Sequence, residues 1–224
     1  CCGAIRRDAQ THLPTRLKIP AQGIKLATIL LSHLASPPTG ASAWLRNCAV
    51  FNGQPLAVFQ PFIDTATGRI AGVEALARLR SADGQLHSAG PLFSDPKTPP
   101  TALRRLDREV REQALKRFHE APQDWFLSLN ISPRWISRLR PEQALPSLKQ
   151  LQRSGIDPAR IVFEITELGG ASTRLPGVVE RYRQAGARIA IDDFGAGYSQ
   201  LDRVLALQPD ILKLDMRLFQ QAAR

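Results

Sequence analysis

The sequence predicts an α/β fold in which mostly parallel strands form a barrel-like sheet with helices on its outside. From residue 101 onward, short apolar, partly β-branched runs alternate with longer segments of helical spacing. Such alternation is typical of parallel strands that are joined by helical crossovers. Before residue 101, two strand-like runs are separated by only a short turn, which predicts an antiparallel hairpin at the start of the sheet.

The strands are predicted from apolar runs that are bounded by turn residues. The hairpin covers Leu56–Ile63 and Arg69–Leu79, and its turn contains Asp64 and Gly68. The later strands, which are expected to be parallel, are Trp125–Ile131, Arg160–Ile165, Arg188–Asp193 and Ile211–Leu214.

The helices are predicted from apolar residues three or four positions apart, as at Leu103, Leu106 and Val110. Glycines at positions 155 and 186 are expected to end two of them. The predicted helices are Thr101–His119, Pro141–Ser154, Leu175–Ala185 and Tyr198–Ala206.

The chain is expected to contain one main domain, residues 51–224, which is long enough to bury its own core. Proline and glycine interrupt residues 1–50 repeatedly, so this stretch is expected to be a linker or the remnant of a preceding region. Lys25–Leu34 is its one candidate helix. Within the main domain, Ser81–Pro100 is rich in Pro, Gly and Ser and is expected to be a loop.

Composition narrows the classes of partner and compartment. The formal net charge of +10 suits nucleic acid, anionic lipid or a phosphorylated ligand. Aromatic residues are only 6% and do not alternate with basic ones, so no nucleic-acid polymer is expected as a partner. No apolar run is long enough to cross a bilayer. Three cysteines without a CxxC pair argue against a disulfide framework or structural zinc, and a reducing cytoplasm is the expected location.

The acidic pair Asp192 and Asp193 is the most informative local feature. It follows the apolar run Ile189–Ile191 and precedes a turn that contains Gly195 and Gly197. Two neighbouring carboxylates repel each other unless a cation neutralises them. The pair therefore indicates either a metal site at the C-terminal end of a strand or a turn in which Asp caps the next helix.

Other predicted strands also carry a polar residue at or near the end. In a parallel barrel such residues converge on the face where active sites lie. Each one alone has an ordinary explanation, such as a surface charge, a turn cap or a snorkelling lysine, but together they favour a site. These residues are Glu74, Asn130, Glu164, Asp192, Asp193 and Lys213.

The oxygen atoms of these side chains indicate which metal ions and which reaction the site would suit. Carboxylate and amide oxygens suit magnesium, manganese or calcium better than zinc. If Asp193 bridged to a second cation, two metals about 4 Å apart could clamp both reacting oxygens of a phosphodiester. Lys213 could then hold water or stabilise phosphate charge, and Arg78 could bind a phosphate oxygen. Arg78 could equally pair with a nearby acid.

Six segments of the chain resemble the motifs of the EAL-domain family, the cyclic di-GMP phosphodiesterases. The resemblance covers about residues 56–216, with the motifs in the family's order. The segments are Phe59-Gln60-Pro61, Glu74-Ala75-Leu76, Ser128-Leu129-Asn130-Ile131-Ser132, Phe163-Glu164-Ile165-Thr166-Glu167, Asp192–Tyr198 and Lys213-Leu214-Asp215.

The resemblance implies a modified TIM barrel with an antiparallel first strand, and hydrolysis of cyclic di-GMP to linear pGpG at a two-metal site with Mg²⁺ or Mn²⁺. By matching position, Asp193 would bind the second metal and Lys213 would contact metal-bound water. The first metal would be held by Glu74, Asn130, Glu164 and Asp192.

The remaining family positions concern the substrate and the loops. Gln60 and Arg78 match substrate contacts, and Glu167 matches the residue that steadies the loop after Asp193. A homodimer and an upstream sensor domain are further expectations. The family's helical lobe, which helps many members to dimerise, corresponds to a shorter stretch here, between Leu86 and Thr101.

The family pattern continues beyond residue 224, with a strand that bears an essential Glu and a last strand that bears a Gln. About six of eight strands are therefore expected here, in a C-terminally incomplete domain. We expect the longer parent to hydrolyse cyclic di-GMP and this chain alone to be inactive. One alternative is a receptor that binds the dinucleotide without cutting it. Another is a different metal-dependent barrel, such as an enolase-like enzyme.

Overall fold

The computed structural model describes residues 4–6, 53–132, 143–166, 174–195 and 200–216. Its strands are β1 (Ala4–Arg6), β2 (Gln54–Ile63), β3 (Ile70–Arg80), β4 (Leu86–Ser88), β5 (Phe126–Ile131), β6 (Ile161–Thr166), β7 (Arg188–Phe194) and β8 (Ile211–Leu214). Its α-helices are α1 (Gly90–Ser94), α2 (Pro100–Phe118), α3 (Pro146–Ser154), α4 (Leu175–Gln184) and α5 (Gln200–Leu207).

The described strands form one mixed sheet in the order β1-β8-β7-β6-β5-β3-β2, with β4 paired to β3. β2 and β3 are antiparallel, whereas the pairs β3–β5, β5–β6, β6–β7 and β7–β8 are parallel. Within the described residues, β1 and β2 end the order without pairing to each other, so the sheet is open. The predicted α/β class, the antiparallel hairpin and the incomplete barrel are confirmed.

One face of the sheet packs against the helices. Side chains alternate between the two faces of a strand, and in β5, β6 and β7 the apolar residues at odd positions belong to the main hydrophobic core. Helix α2 contributes Leu106, Val110 and Leu115 to this core. It is also tied to β2, because Gln113 and Arg117 hydrogen-bond backbone groups of that strand.

The other face lines the interior of the curled sheet and is built in two layers. The first layer is a small apolar cluster, formed by Phe126, Val162, Ala190 and Ile211. Two residues further along each of these strands, the same face carries a polar side chain. This second layer consists of Ser128, Glu164, Asp192 and Lys213. The apolar layer thus closes the interior beneath the polar one.

Two elements were not predicted in the Pro-, Gly- and Ser-rich stretch that precedes α2. β4 pairs antiparallel with the C-terminal part of β3, from Arg78 to Arg80. β5 pairs with β3 only as far as Ala75, so β4 supplies hydrogen-bond partners for backbone that β5 leaves open. The short helix α1 follows directly. Sequence patterns did not predict β4 because its pairing with β3 depends on where β5 ends.

The N-terminal stretch is described only at β1, which pairs antiparallel with β8. The candidate helix Lys25–Leu34 lies outside the described residues. None of the helices in the described part of the chain is long and apolar enough to cross a membrane.

Gly72 of β3 lets a neighbouring strand approach closely. A Cβ atom at this position would lie 2.5 Å from the carbonyl oxygen of Phe126 and 2.6 Å from the ring of that residue. The ring of Phe126 in turn packs against Phe62, with 5.1 Å between the ring centroids. Gly72 therefore allows the apolar layer to reach from β5 to β2.

We expect Gly72→Ala to destabilise the fold by about 1–3 kcal/mol, because the added methyl group overpacks this contact. The measurement is the free energy of unfolding in urea. Gly177→Ala is the matched control, since a Cβ there meets no atom within 4 Å and alanine favours a helix by about 0.5–1 kcal/mol. Equal stability of the two variants would contradict this role for Gly72.

A buried hydrogen bond joins α3 to α4. The Tyr182 hydroxyl lies 2.6 Å from Ser147 Oγ, and both residues are fully buried. The Tyr182 ring packs on Phe163 of β6, with 4.1 Å between centroids. Burial raises the pKa of Tyr182 to about 12, although the hydrogen bond with Ser147 opposes this rise.

This raised pKa gives a stability prediction with a defined sign. The unfolded state loses the tyrosine proton near pH 10, but the folded state keeps it until about pH 12. The stabilisation is therefore complete below pH 10 and is lost between pH 10 and 12. Below pH 10, Tyr182→Phe should cost about 1–2 kcal/mol through the unpaired Ser147 hydroxyl.

The measurement is urea unfolding of wild type and Tyr182→Phe at several values between pH 9 and pH 11.5. The stability gap between the two proteins should shrink as the pH rises, because only the wild type carries this buried proton. A gap that stays constant would contradict the prediction.

Candidate metal site

The ammonium group of Lys213 lies at the centre of the polar layer. Its Nζ atom is 2.6 Å from Glu164 Oε2, 3.1 Å from Glu74 Oε2 and 3.2 Å from Asp192 Oδ1. The three N–H donors of an ammonium group match three carboxylate partners in number. These residues come from β8, β6, β3 and β7, so the curl of the sheet brings them together.

Lys213 is only 2% exposed. Burial alone would lower its pKa, but the carboxylates of Glu164, Glu74 and Asp192 outweigh that effect and hold the pKa above its usual value. The side chain therefore stays positively charged inside the sheet. The ring of Phe62 lies 5.8 Å from Nζ and closes the site on the side of β2.

Glu164 is fully buried and accepts two hydrogen bonds. Its Oε2 atom accepts from Lys213, and its Oε1 atom accepts from the hydroxyl of Ser128 in β5. Burial, followed by the nearby carboxylate of Glu74, raises the pKa of Glu164 to about 8, while Lys213 opposes the rise. Asp192 adds a smaller contribution of the same sign as Glu74.

Asn130 completes the layer at the end of β5. Its Nδ2 atom donates to Glu74 Oε1 at 2.8 Å, so each oxygen of Glu74 has a partner. Asn130 stands opposite Glu164 in the parallel register of β5 and β6. Its strand, β5, lies between the two strands that carry Glu74 and Glu164.

The donor set fits a divalent cation. Glu74, Glu164 and Asp192 each offer an oxygen, and these oxygens lie within 4.8 Å of one another. Three carboxylates facing one ammonium leave two negative charges when all are ionised. Hard oxygen donors of this kind are the ligands that Mg²⁺, Mn²⁺ and Ca²⁺ use. The Lys213 ammonium shows that positive charge is stabilised at this position.

Two other predicted residues flank the cluster. Gln60 is exposed on β2 and stands opposite Glu74 in the antiparallel register. Arg78 is half-buried at the end of β3 and donates to the carbonyl of Ala77 at 3.0 Å. It lies four residues beyond Glu74 along the strand, which is about 13 Å at the usual rise. Both residues are thus on the same face of the hairpin as Glu74.

Asp193 is at the end of β7 but outside the cluster of three carboxylates found among the described residues. It is exposed and has a φ of 58°, a left-handed conformation that Asp adopts more readily than most residues. Its backbone N–H donates to Asp192 Oδ1 at 3.0 Å. Glu167 lies outside the described residues.

The sequence patterns missed two residues of the site, Ser128 and Phe62. Ser128 lies two positions before Asn130, and therefore on the same face of β5. Phe62 likewise lies two positions after Gln60 on β2. Period-two spacing from a predicted site residue was the available signal in both cases.

Comparison with known proteins identifies the family. The family model described as the EAL domain matches residues 45–224. The chain belongs to the EAL domain family. Its curled sheet with an antiparallel first strand is therefore the barrel-like fold of EAL domains.

Two curated relatives show the extent of the similarity. The uncharacterised EAL-domain-containing protein YkuI of Bacillus subtilis (strain 168) is 34% identical over 164 residues, which cover 72% of this chain and 40% of YkuI. The probable cyclic di-GMP phosphodiesterase PdeB of Escherichia coli (strain K12) is 33% identical over 167 residues, 70% of this chain and 31% of PdeB. The chain thus spans less than half the length of these relatives.

Solved structures of EAL proteins are also similar. The crystal structure of YkuI in complex with its substrate c-di-GMP and calcium has a TM-score of 0.66 at 33% identity, covering 74% of this chain and 42% of YkuI. The manganese and c-di-GMP complex of Klebsiella pneumoniae BlrP1 has a TM-score of 0.58 at 27% identity, covering 73% and 41%. Both of those proteins hold a divalent metal together with c-di-GMP.

The position of Lys213 leads to a stability prediction for the metal-free EAL domain. Lys213→Met should lower the free energy of unfolding by about 3–5 kcal/mol, because it leaves buried carboxylates without their cation. The measurement is urea unfolding in the presence of EDTA. The control is Lys149→Met on the exposed side of α3, where a surface substitution should change stability by about 0.5 kcal/mol or less. Similar losses for both variants would contradict the prediction.

Proposed function

We propose that this EAL domain, as part of a longer parent protein, binds cyclic di-GMP with Mg²⁺ or Mn²⁺ and hydrolyses it to linear pGpG. The observation that carries the proposal is the meeting of Glu74, Glu164 and Asp192 around one buried ammonium, with Asn130 alongside. These residues stand near the C-terminal ends of neighbouring parallel strands, where barrel enzymes place their active sites. The c-di-GMP complexes of YkuI and BlrP1 support the choice of ligand.

The residues of the cluster would have different roles in binding the metal and the substrate. Glu74, Asn130, Glu164 and Asp192 would hold the first metal ion. When bound, the metal would stabilise negative charge on phosphate oxygens as a Lewis acid. Lys213 keeps its proton because of the surrounding carboxylates, so it is available as a fixed positive charge or water contact beside the reacting phosphate.

Residues around the cluster would position the dinucleotide. Gln60 and Arg78 would contact the substrate, with Arg78 able to pair two guanidinium N–H groups with one phosphate. Asp193 would serve the second metal, and Glu167 would steady the loop that follows Asp193. The apolar layer beneath the site, which includes Phe126 and Val162, confines the ligand to the open face above it.

The proposed activity extends to the domain organisation, the location and the partners of the protein. We propose that residues 51–224 act as the phosphodiesterase domain and that residues 1–50 link it to other parts of a longer protein. A cytoplasmic location agrees with a bacterial second messenger as substrate. A homodimer and an upstream sensor domain are further parts of the proposal.

The second candidate function is a receptor that binds cyclic di-GMP without cutting it. The observation in its favour is the position of Asp193, which within the described residues is exposed and stands apart from the three clustered carboxylates. Among the described residues, three carboxylates form one candidate cation site, and Asp193 is not part of it. A receptor needs only one such site to bind a phosphodiester ligand.

The test is chromatography of cyclic di-GMP after incubation with Mn²⁺ and a longer parent protein that contains this domain. We expect pGpG to form, and Asp192→Asn to reduce its rate roughly 100-fold or more, because the variant removes a charge that supports the transition state. Asp124→Asn is the matched control. Asp124 is exposed just before β5, at the opposite end of that strand from the cluster, and its loss should leave the rate within about twofold of wild type.

Binding of cyclic di-GMP without product would favour the receptor. Its affinity, measured by calorimetry with and without Mn²⁺, would then show whether the cluster takes part. A protein that neither binds nor cleaves cyclic di-GMP would contradict both functions and leave another metal-dependent barrel activity as the explanation.

A further inference from the structure

Ser128 is a buried polar residue that touches the site but has no role in the function proposed so far. It is fully buried in β5, and its hydroxyl donates to Oε1 of Glu164. In the parallel register, Ser128 stands opposite Val162, and Asn130 stands opposite Glu164. The Ser128 hydroxyl thus reaches the carboxylate of Glu164 from the neighbouring strand, although the two residues are not directly opposite in the register.

We propose that Ser128 is a positioning residue that fixes the carboxylate of Glu164 for metal binding and favours Mn²⁺ or Mg²⁺ over Ca²⁺. The inference rests on the proposed function, because it assigns Glu164 as a ligand. Its own basis is that the two carboxylate oxygens of Glu164 have different hydrogen-bond partners. Oε1 faces Ser128, and Oε2 faces Lys213 at the centre of the cluster.

A glutamate needs such a partner to hold one orientation. The terminal torsion of a Glu side chain is broad and roughly two-fold, so the carboxylate can turn unless both oxygens are held. Glu164 is 0% exposed, and among the described residues its two oxygens accept hydrogen bonds from Ser128 and Lys213. Of these two, Lys213 also bonds Glu74 and Asp192, so Ser128 is the donor dedicated to Glu164.

The same hydrogen bond limits how Glu164 can bind an ion. With Oε1 engaged by Ser128, Oε2 is the oxygen that faces the Lys213 ammonium, which Glu74 and Asp192 also contact. Ca²⁺ takes six to eight oxygens and accepts carboxylates through one or both oxygens, whereas Mg²⁺ demands a compact octahedron. A glutamate held to one oxygen therefore suits the smaller ions. Without Ser128, Glu164 could turn and offer both oxygens, which would favour Ca²⁺.

The test is calorimetric titration of Mn²⁺ and of Ca²⁺ into the metal-free protein, without nucleotide. Ser128→Ala should weaken Mn²⁺ binding by roughly tenfold or more, as loss of a partner behind a metal ligand does. Its Ca²⁺ affinity should fall less, so that the preference for Mn²⁺ narrows. Ser147→Ala is the matched control, since it removes another fully buried serine hydroxyl, the one paired with Tyr182 between α3 and α4.

Ser128→Cys is a second variant that tests the same hydrogen bond if Ser128→Ala does not fold. It keeps nearly the same volume but replaces the hydroxyl by a weak S–H donor, and its Mn²⁺ affinity should fall between wild type and Ser128→Ala. Circular dichroism and thermal unfolding would establish that each variant is folded before titration. A variant set in which affinity follows donor strength supports the positioning role.

Three results would overturn the inference while leaving the proposed function intact. They are unchanged Mn²⁺ affinity in the serine 128 variants, an equal loss for Mn²⁺ and Ca²⁺, and an equal loss in Ser147→Ala. A wild-type protein that binds neither ion would instead contradict the metal site itself, and with it the proposed function. The two failures are therefore distinguishable in one experiment.

Discussion

The interaction on which the site depends is the contact of one buried lysine with three carboxylates. Lys213 is 2% exposed and bonds or pairs with Glu74, Glu164 and Asp192 at 2.6–3.2 Å. Desolvation penalises all four charged groups, and only their mutual attraction offsets that cost. The arrangement persists in a closely packed interior because each charge has a partner. It also keeps excess negative charge at one place, which is a condition for recruiting a divalent cation.

The layer below the charges explains why they can gather there. Phe126, Val162, Ala190 and Ile211 fill the interior of the curled sheet and exclude water from beneath the site. Gly72 takes part in this packing, because only a residue without Cβ leaves room for the ring of Phe126. Each strand thus carries an apolar residue and, two positions later, a functional one. The site is accordingly open on one side and rigid on the other.

The likeness to other EAL proteins fits this construction without replacing it. YkuI and BlrP1 hold calcium or manganese with c-di-GMP, and the oxygen donors of this chain suit the same group of ions. The environment of Glu164 adds a feature that a motif cannot express. Its two oxygens face different partners, so its orientation is decided by Ser128 and Lys213 together.

Much of the fold followed from local patterns. The apolar runs placed strands at 126–131, 161–166 and 188–194 to within a residue or so, because a strand that is buried on both faces needs a nearly continuous apolar run. The hairpin followed from the short turn at Asp64–Gly68. β1 and β4 were not predicted, since three-residue strands carry little sequence signal and form where other strands leave backbone groups unpaired.

For the site, the sequence by itself determined the residue types and their places at strand ends, which was enough to name Glu74, Asn130, Glu164, Asp192 and Lys213 together. Only the tertiary structure decided that Lys213 stands between three carboxylates, that Asp193 is exposed beside them, and that Ser128 bonds Glu164. The physical reason is that these contacts join residues 36 to 139 positions apart. Their distances depend on how the sheet curls, which no single strand specifies.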